Sequence, residues 1–367
     1  MSAAAPAPIG LLAELTHRCP LGCPYCSNPL ALEGREGELT TDEWKRVFSE
    51  AAALGVLQVH LSGGEPLSRR DLTEIVRHCA SLGLYTNLIT SGIGMNAKLA
   101  RALAEAGLDH VQLSLQDADE ASADKIADYA GAFAKKRDVA ALMTAEGFPL
   151  TVNAVIHHAN AARAGAMIDL AVAWGARRVE IAHVQYYGWA VPNRAQLMPR
   201  RAEAEAAVAE VERKKRELVG RIVVDHVIPD YHARFPKACM GGWGRRTLNI
   251  TPQGKALPCH AAETIAHLIF WNVRERSLAE IWHGSPAFNA YRGTAWMNET
   301  CRSCERRDID HGGCRCQALA LAGDAAATDP VCHKSPDHAR LDEIMAAEVQ
   351  AATAPYQYRR LTARSSA

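Results

Sequence analysis

Short apolar runs rich in β-branched residues alternate with longer amphipathic segments through the first two thirds of the chain, and this alternation constrains the fold most strongly. Strands joined by helices pair in parallel, because each helix returns the chain to the same end of the sheet. Six consecutive βα units form either a doubly wound sheet or a barrel left open after six strands, and periodicity alone does not choose between them. The six predicted strands span residues 11–15, 56–61, 84–90, 110–115, 150–156 and 178–184.

The segments between these strands carry helix signals. In "TTDEWKRVFSEAAALG", Thr41 is the predicted N-cap and Gly55 the predicted end of the helix. The charged run "ERKKRE" (212–217) is interpreted as the solvated face of another helix. Both segments are of the kind that covers a parallel sheet.

Composition limits the function classes. The chain has 41 basic and 41 acidic residues, so its net charge is zero and no broad basic surface for nucleic acid or anionic membrane is expected. The N-terminus "MSAAAPAPIG" does not resemble a signal peptide, and no run of about twenty apolar residues suggests a membrane span. We therefore expect a cytoplasmic protein, in which 11 cysteines serve metal or redox chemistry rather than disulfides.

The pattern changes at about residue 230, where strand and helix cease to alternate and metal-binding residue types become frequent. "TLNITPQGKALPC" predicts a β-hairpin and "SLAEIWHGSPAFNAYR" a short helix. We predict a first domain over 1–229, a second over 230–335, and a helical tail over 336–367 that frays at "TARSSA".

Three cysteines, Cys19, Cys23 and Cys26, follow the first predicted strand in "THRCPLGCPYCSNP", and "SGGEP" follows the second. The carboxyl ends of parallel strands share one edge of the sheet, so the two loops are expected to be neighbours. Three thiolates leave a four-coordinate zinc site incomplete but suit a [4Fe-4S] cluster in which one iron has no protein ligand. A zinc site completed by His17 is the alternative.

The Cys-x3-Cys-x2-Cys spacing, with Tyr25 before the third cysteine, resembles the signature of the radical S-adenosylmethionine (SAM) enzymes. In that family SAM chelates the free iron through its amino and carboxylate groups, and the fold is a partial (β/α)6 TIM-like barrel. The resemblance assigns Gly63, Gly64 and Glu65 to the methionine end of SAM, with the glycines allowing close backbone approach and Glu65 near the ammonium.

Two further SAM contacts follow from the same resemblance. Ser114, after the fourth strand, matches a position that binds the SAM carboxylate, and the next helix often brings a basic residue there. Lys125 is the residue predicted for that role, and an exposed helix lysine is the alternative interpretation. The resemblance therefore gives five residues toward SAM and three toward the cluster.

The C-terminal cysteines resemble the SPASM extension, a peptide-modifying branch of the radical SAM family with two auxiliary iron-sulfur clusters. Where the usual pattern has a cysteine, this chain has Asp310, whose harder carboxylate can replace a thiolate on iron. The family's interleaved ligation implies a first auxiliary set of Cys239, Cys259, Cys314 and Cys316, and a second of Cys301, Cys304, Asp310 and Cys332.

Some interpretations stay open for this region. Asp310 could be an ordinary loop carboxylate, with His311 or His333 ligating instead. Four ligands hold either a [2Fe-2S] or a [4Fe-4S] cluster, so the nuclearity of each auxiliary cluster is undetermined. Cys79, in "EIVRHCASLG", is predicted to be a buried apolar residue.

Longer stretches, among them "QLSLQDAD", "QYYGWA" and "CMGGWGRRTLNITPQGKALPCH", resemble the radical SAM enzyme family of pyrroloquinoline quinone biosynthesis. The resemblance implies a carbon-carbon cross-link between glutamate and tyrosine side chains of a precursor peptide, PqqA, made through a 5'-deoxyadenosyl radical. It also implies a peptide chaperone, PqqD, and an external one-electron reductant. The loop after the sixth strand is predicted to contact substrate through Tyr186, Tyr187, Trp189 or Arg194.

The chain offers no identifiable catalytic base. Two other functions are compatible with its cysteines. One is another SPASM maturase, which would form a thioether or oxidise a sulfatase residue; the other is a non-catalytic iron-sulfur electron carrier. The "SGGEP" loop favours a SAM enzyme over a carrier.

Overall fold

One mostly parallel sheet organises the protein, whose computed structural model describes residues 5–228, 230–351 and 354–361. The strand order across the sheet is β7-β6-β5-β4-β3-β2-β1-β8-β9. Neighbours from β7 through β8 are parallel, and β8 and β9 form an antiparallel hairpin. The strands are β1 Gly10–Thr16, β2 Gln58–Gly63, β3 Tyr85–Thr90, β4 His110–Leu115, β5 Leu150–Ile156, β6 Arg178–His183, β7 Val223–Val227, β8 Thr247–Ile250 and β9 Ala256–Leu257.

The order of the strands decides between the two predicted architectures. Strands β1 to β7 lie side by side in chain order, whereas in a doubly wound sheet the strand order reverses at a switch point and the later βα units lie on the other side of the first strand. Among the described residues the sheet ends at two separate edges, β7 and β9, so the barrel is open. The predicted partial barrel is confirmed, and all six predicted strands are present.

One strand of the barrel, β7, was not predicted from the sequence. Strand β7 carries Asp225 and His226 between its valines and has one buried residue, so it lacks the repeated alternation of buried residues seen in β4 and β6. It pairs with β6 along five residues and extends the barrel by one strand.

The helices cover the outer face of this sheet and continue into the C-terminal part. Their bounds are α1 Thr41–Leu54, α2 Leu72–Ser81, α3 Ala97–Glu105, α4 Glu120–Ala127, α5 Ala132–Ala145, α6 Ala164–Ala173, α7 Arg194–Leu197, α8 Arg201–Glu217, α9 Leu278–Gly284, α10 Pro286–Asn289, α11 Glu299–Arg302, α12 Arg307–Asp310, α13 Arg315–Ala322 and α14 His338–Ala351. Helix α14 lies within the predicted helical tail, whereas the segment 354–361 that follows it is not helical.

Helix α1 shows how local sequence sets these bounds. The N-cap is Thr40, not Thr41 as predicted: its side chain accepts a hydrogen bond from the backbone N–H of Glu43, whose carboxylate accepts one in return. Gly55 ends the helix as predicted, with a φ of 103° that favours glycine. The apolar stripe that includes Trp44, Val47 and Phe48 is fully buried against the sheet.

The main core lies between the strands and the helices. Side chains such as Leu11, Leu61, Val111, Val152 and Ile181 are completely buried there. Burying each of them contributes about 1.5–3 kcal/mol of hydrophobic stabilisation. Cys79 is also fully buried in this core, as predicted.

The C-terminal part shares the sheet and the core with the barrel. The predicted hairpin is β8-β9, and β8 pairs with β1. The predicted short helix is two helices, α9 and α10, because Pro286 starts a new turn after Ser285. Trp282 of α9 is buried in the main core and donates to Pro6 O at 2.9 Å. We retain the division into 1–229, 230–335 and 336–367 as a proposal.

Two further predictions concern the ends of the chain and the membrane. The first four residues of "MSAAAPAPIG" and all of "TARSSA" lie outside the described residues. Within the described ranges, no helix has the length and apolar character needed to cross a bilayer.

Candidate metal centres

The loop after β1 brings Cys19, Cys23 and Cys26 to one cavity of about 390 Å³ at the carboxyl edge of the barrel. The ends of β2 to β6 complete its wall. The other lining residues include Gly63, Gly64, Ser91, Ser114, Gln116, Glu180, Tyr187 and Arg359. The two loops that the sequence placed at this edge therefore meet in one cavity, which we call the barrel cavity.

The environment of the three thiols suits iron. Burial raises the pKa of Cys19 to about 12 and that of Cys23 to about 11, so each keeps its proton at neutral pH unless a metal replaces it. N–H donors already point at the sulfurs: Leu21 N lies 3.4 Å from Cys19 Sγ, and Gln116 Nε2 lies 3.9 Å from Cys23 Sγ. Three thiols around a roomy cavity fit a cluster that also binds a small molecule.

His17, the residue that could complete a zinc site, is engaged elsewhere. Its Nδ1 accepts a hydrogen bond from Glu33 N at 3.0 Å, and its Nε2 lies 3.4 Å from Glu14 Oε2. The side chain is 1 % exposed and does not line the barrel cavity. The structure gives no support to a zinc site that uses this histidine.

The two glycines of "SGGEP" line the barrel cavity, so their role toward SAM stays a prediction, and their missing side chains also have a structural role. A Cβ on Gly63 would clash with Thr16 O, and one on Gly64 would lie 2.6 Å from His17 O. Gly63 also has a φ of 123°, where other residues are strained. The missing side chains thus let the end of β2 approach the backbone after β1, which fixes the wall of the cavity.

Glu65 does not line the barrel cavity, which corrects its predicted place beside a ligand ammonium. Its carboxylate is completely buried and accepts hydrogen bonds from Thr90 Oγ1 and Ser91 N, both at 2.7 Å, from Ser91 Oγ, and from Leu67 N at 3.1 Å. Burial raises the pKa of this carboxyl. Glu65 therefore ties the loop after β2 to the loop after β3 and shapes the cavity indirectly.

A different lysine takes the position predicted for Lys125. Lys125 is exposed on α4, and its carbonyl accepts from Tyr358 OH at 3.0 Å. Lys136, on α5, is 1 % exposed and donates to Ser91 O at 2.8 Å and Ser114 Oγ at 3.1 Å. The missed signal was a lysine on the apolar stripe of α5, in register with Ala132, Ala140 and Met143.

Four cysteines line a second cavity of about 420 Å³ between the barrel mouth and α13, and we call this group the first auxiliary centre. Each thiol interacts with two of the others, so the four side chains form a closed ring of neighbours. The order around the ring is Cys239, Cys259, Cys316 and Cys314. These are the four residues predicted for the first auxiliary cluster.

A third cavity, of about 20 Å³, is lined by the four residues predicted for the second auxiliary cluster: Cys301, Cys304, Asp310 and Cys332. Lys334 Nζ donates to Cys304 Sγ at 3.3 Å, which places positive charge beside that thiol. Asp310 is 8 % exposed, and its Oδ1 accepts from Gly312 N at 3.1 Å. Its position in the lining fits a ligand rather than an exposed loop carboxylate.

The two histidines considered in place of Asp310 lie away from this cavity. Arg245 Nη1 lies about 3.0 Å from His311 Nε2, and His333 is exposed with its ring against Phe235. Across the described ranges, no three His, Cys, Asp or Glu side chains converge on a single metal-ion position. The cysteine sets line cavities instead, and the two larger cavities have room for a group larger than one ion.

Tyr187 lies between the barrel cavity and the first auxiliary centre and lines both cavities. Its ring packs against His260 with centroids 4.9 Å apart, and burial raises its pKa well above the usual value. Tyr186 instead packs on Tyr231, with ring centroids 4.9 Å apart. Of the four residues predicted to contact substrate, Tyr187 is the one that lines the barrel cavity.

Comparison with known proteins agrees with this division of sites. Residues 13–171 match the radical SAM superfamily, and residues 239–305 match an iron-sulfur cluster-binding domain, SPASM. The chain also resembles Streptococcus suis SuiB bound to S-adenosylmethionine, with a TM-score of 0.75 at 19% identity over 89% of this chain and 78% of that one. SuiB bound to its precursor peptide SuiA gives a TM-score of 0.74 over 90% and 77% of the two chains, also at 19% identity.

Much closer relatives cover nearly the whole chain. A PqqA peptide cyclase of Methylocella silvestris is 68% identical over 96% of this chain and 95% of its own. Proteins of the same description from Methylobacterium sp. strain 4-46 and Xanthomonas axonopodis pv. citri are 61% and 54% identical, over 96% and 97% of this chain and 94% and 96% of theirs. The chain therefore belongs to the PqqA peptide cyclase family, PqqE, of radical SAM enzymes with a SPASM domain.

Proposed function

We propose that this enzyme joins a glutamate and a tyrosine side chain of the PqqA precursor peptide by a carbon-carbon bond. The family to which the chain belongs supports the peptide substrate and its place in pyrroloquinoline quinone biosynthesis. One structural observation carries the proposal. The three thiols after β1 line a cavity that shares Tyr187 with two neighbours, the cavity of the first auxiliary centre and an open groove.

The barrel cavity offers groups suited to a cluster and SAM together. Cys19, Cys23 and Cys26 would hold the [4Fe-4S] cluster, and Ser114 with Lys136 would bind the SAM carboxylate. Burial lowers the pKa of Lys136 to about 8, so the ammonium remains largely charged at neutral pH. A reduced cluster with bound SAM supplies a 5'-deoxyadenosyl radical, and the protein supplies position and exclusion of water.

An open groove of about 590 Å³ provides a path for the peptide toward the barrel cavity. It is lined by three loops, within residues 27–33, 187–191 and 253–264, and shares Tyr187 with the barrel cavity. Leu30 and Val191 expose apolar surface there, while Lys255 forms an ion pair with Glu263. Apolar positions interspersed with a few polar groups suit an extended peptide.

The auxiliary centres complete the proposal. The ring of four cysteines and the Cys301, Cys304, Asp310 and Cys332 set would hold two iron-sulfur clusters, each either [4Fe-4S] or [2Fe-2S]. The PqqD chaperone would present the peptide, and an external one-electron donor would reduce the SAM cluster.

The proposal is tested by anaerobic reconstitution with iron, sulfide, SAM, reductant, PqqA and PqqD, followed by mass analysis of the peptide. We expect loss of two hydrogens, and fragmentation that locates the link between the glutamate and tyrosine side chains. A Cys23→Ala variant and a peptide whose tyrosine is replaced by alanine are the controls, and both should yield unmodified peptide. A link at sulfur or at other residues would contradict the proposed cross-link.

A further inference from the structure

The segment after α14 returns to the loop that carries the three cysteines. We call residues 354–361 the C-terminal strap. The Asn193 side chain binds the strap backbone through two hydrogen bonds. Asn193 Oδ1 accepts one from Gln357 N at 2.7 Å, and Asn193 Nδ2 donates the other to Gln357 O at 2.8 Å. The same Nδ2 lies 3.0 Å from Pro24 O, within the cysteine loop. One buried side chain thus connects the strap to that loop.

Arg359 is the residue through which the strap reaches the barrel cavity. Its backbone N–H donates to Gly22 O at 2.9 Å, and the residue is almost completely buried. Nη2 donates to His17 O and lies 3.3 Å from Asn28 Oδ1. Asn28 Oδ1 in turn accepts from Cys26 Sγ at 3.4 Å. The guanidinium is therefore held from two sides of the cysteine loop.

One donor of this guanidinium has no partner. Within the described residues, Arg359 Nε–H is buried and makes no hydrogen bond, although Arg359 lines the same cavity as the three thiols. Leaving a buried charged donor unsatisfied costs more free energy than leaving a neutral one unsatisfied. Such a donor, beside a cavity built for an anionic group, is explained if a bound group supplies the acceptor.

We propose that Arg359 Nε–H donates a hydrogen bond to a sulfur of the cluster held by Cys19, Cys23 and Cys26, and that the C-terminal strap completes this cluster site. A donor to cluster sulfur and a nearby positive charge both stabilise the reduced, more negative cluster. The planar guanidinium presents its Nε–H in a fixed direction while Nη2 stays on His17 and Asn28, which a lysine cannot reproduce. Arg359 is thus a positioning and potential-tuning residue.

The inference rests on the proposed cluster and not on the proposed peptide cross-link. Cluster spectra are measured without PqqA, so failure of the cross-link would leave this proposal standing. Arg360 provides a matched control: it is the next residue of the strap, its side chain is mostly exposed, and it pairs with Asp128 at 2.8 Å.

The direct test is pulsed EPR of the reduced full-length enzyme grown with ¹⁵N-labelled arginine. We expect one ¹⁵N coupling on the SAM-responsive signal, present in Arg360→Gln and absent in Arg359→Lys. Absence of any arginine coupling in the unsubstituted enzyme, whose fold is not in question, would overturn the proposal.

A second measurement follows the reduction potential of the same signal. Arg359→Gln should shift the midpoint to a more negative value and so lower the fraction of cluster reduced at a fixed applied potential, with Arg359→Lys between it and the parent. Arg360→Gln should match the parent enzyme. Equal midpoints in Arg359→Gln and the parent would also overturn the proposal, with circular dichroism confirming that each variant is folded.

Discussion

The barrel cavity and the second auxiliary cavity differ in both ligand number and space. Three cysteines line the first, which has about 390 Å³, whereas three cysteines and Asp310 line the second, which has about 20 Å³. The first takes its wall from strands and loops throughout the barrel, and the second is built almost entirely from one short stretch, 300–334.

We propose that this difference separates a site that binds an external ligand from one that would close around its cluster. Three protein ligands leave one iron free, and the spare volume allows a molecule to reach it. Four ligands around a small cavity saturate the iron and leave no room for a substrate. The two sites use the same thiol chemistry, so the number of ligands and the space around them determine what each can do.

The largest expected effect comes from a variant that disrupts only the barrel cavity, which we call the open site, and leaves the second auxiliary cavity, the closed site, unchanged. Cys23→Ala should abolish formation of 5'-deoxyadenosine, because SAM then has no intact cluster to reduce it. Cys304→Ala, in the closed site, should retain SAM cleavage while impairing the coupled peptide product. The nucleoside is measured by chromatography with dithionite as reductant. Equal loss of cleavage in both variants would show that the two sites do not divide the chemistry in this way.

The next effect tests the fourth ligand of the closed site. Asp310→Ala should lose iron from the second auxiliary centre and leave the SAM-responsive signal intact, since the carboxylate lies only in that cavity. Asp310→Cys should keep a cluster there, with an altered potential. Iron content and Mössbauer spectra measure both. Unchanged iron content in Asp310→Ala would contradict the assignment of this ligand.

A smaller effect sharpens the claim that only the open site binds an external ligand. Lys136→Met should weaken SAM binding by about 10- to 100-fold, the loss expected for one charged hydrogen bond. Lys125→Met is the control and should bind SAM like the parent, because this side chain is exposed. Equilibrium binding to the reconstituted enzyme gives the two constants, and comparable weakening in both variants would contradict the choice of Lys136.

The smallest expected effect concerns the wall of the barrel cavity. Gly64→Ala should lower the free energy of unfolding by about 1–3 kcal/mol, because the new Cβ meets backbone of the cysteine loop. Gly34→Ala has open space at its Cβ and an unstrained φ, so its stability should be nearly unchanged. Chemical denaturation of the metal-free proteins measures this difference. Equal free energies of unfolding in the two variants would show that the cysteine loop moves to accommodate the new Cβ without loss of stability.

The sequence predicted what local pattern and motif spacing encode. The six strands follow from periodicity and the first cysteine loop from spacings of a few residues, whereas the open barrel and the two auxiliary cysteine sets follow from the resemblance to the radical SAM and SPASM families. Asp310 was identified because it interrupts a regular cysteine series. Such signals lie within short stretches of sequence, so they can be recognised without knowledge of the tertiary structure.

The errors arose where distant segments meet. Lys136 was missed because the helix that brings it to Ser114 is α5 and not α4, which no local pattern specifies. Arg359 reaches the cysteine loop only because the strap returns across the barrel mouth. Glu65 looked like a ligand contact by motif, but its carboxylate is saturated by Thr90, Ser91 and Leu67.

We propose that an iron in the barrel cavity lacks a protein ligand and binds SAM directly. Electron-nuclear double resonance on the reduced enzyme, with SAM labelled by ¹⁵N in its amino group or ¹⁷O in its carboxylate, measures this contact. We expect hyperfine coupling to both labels that disappears in Cys23→Ala. A reduced, SAM-saturated enzyme with no coupling to either label would contradict it.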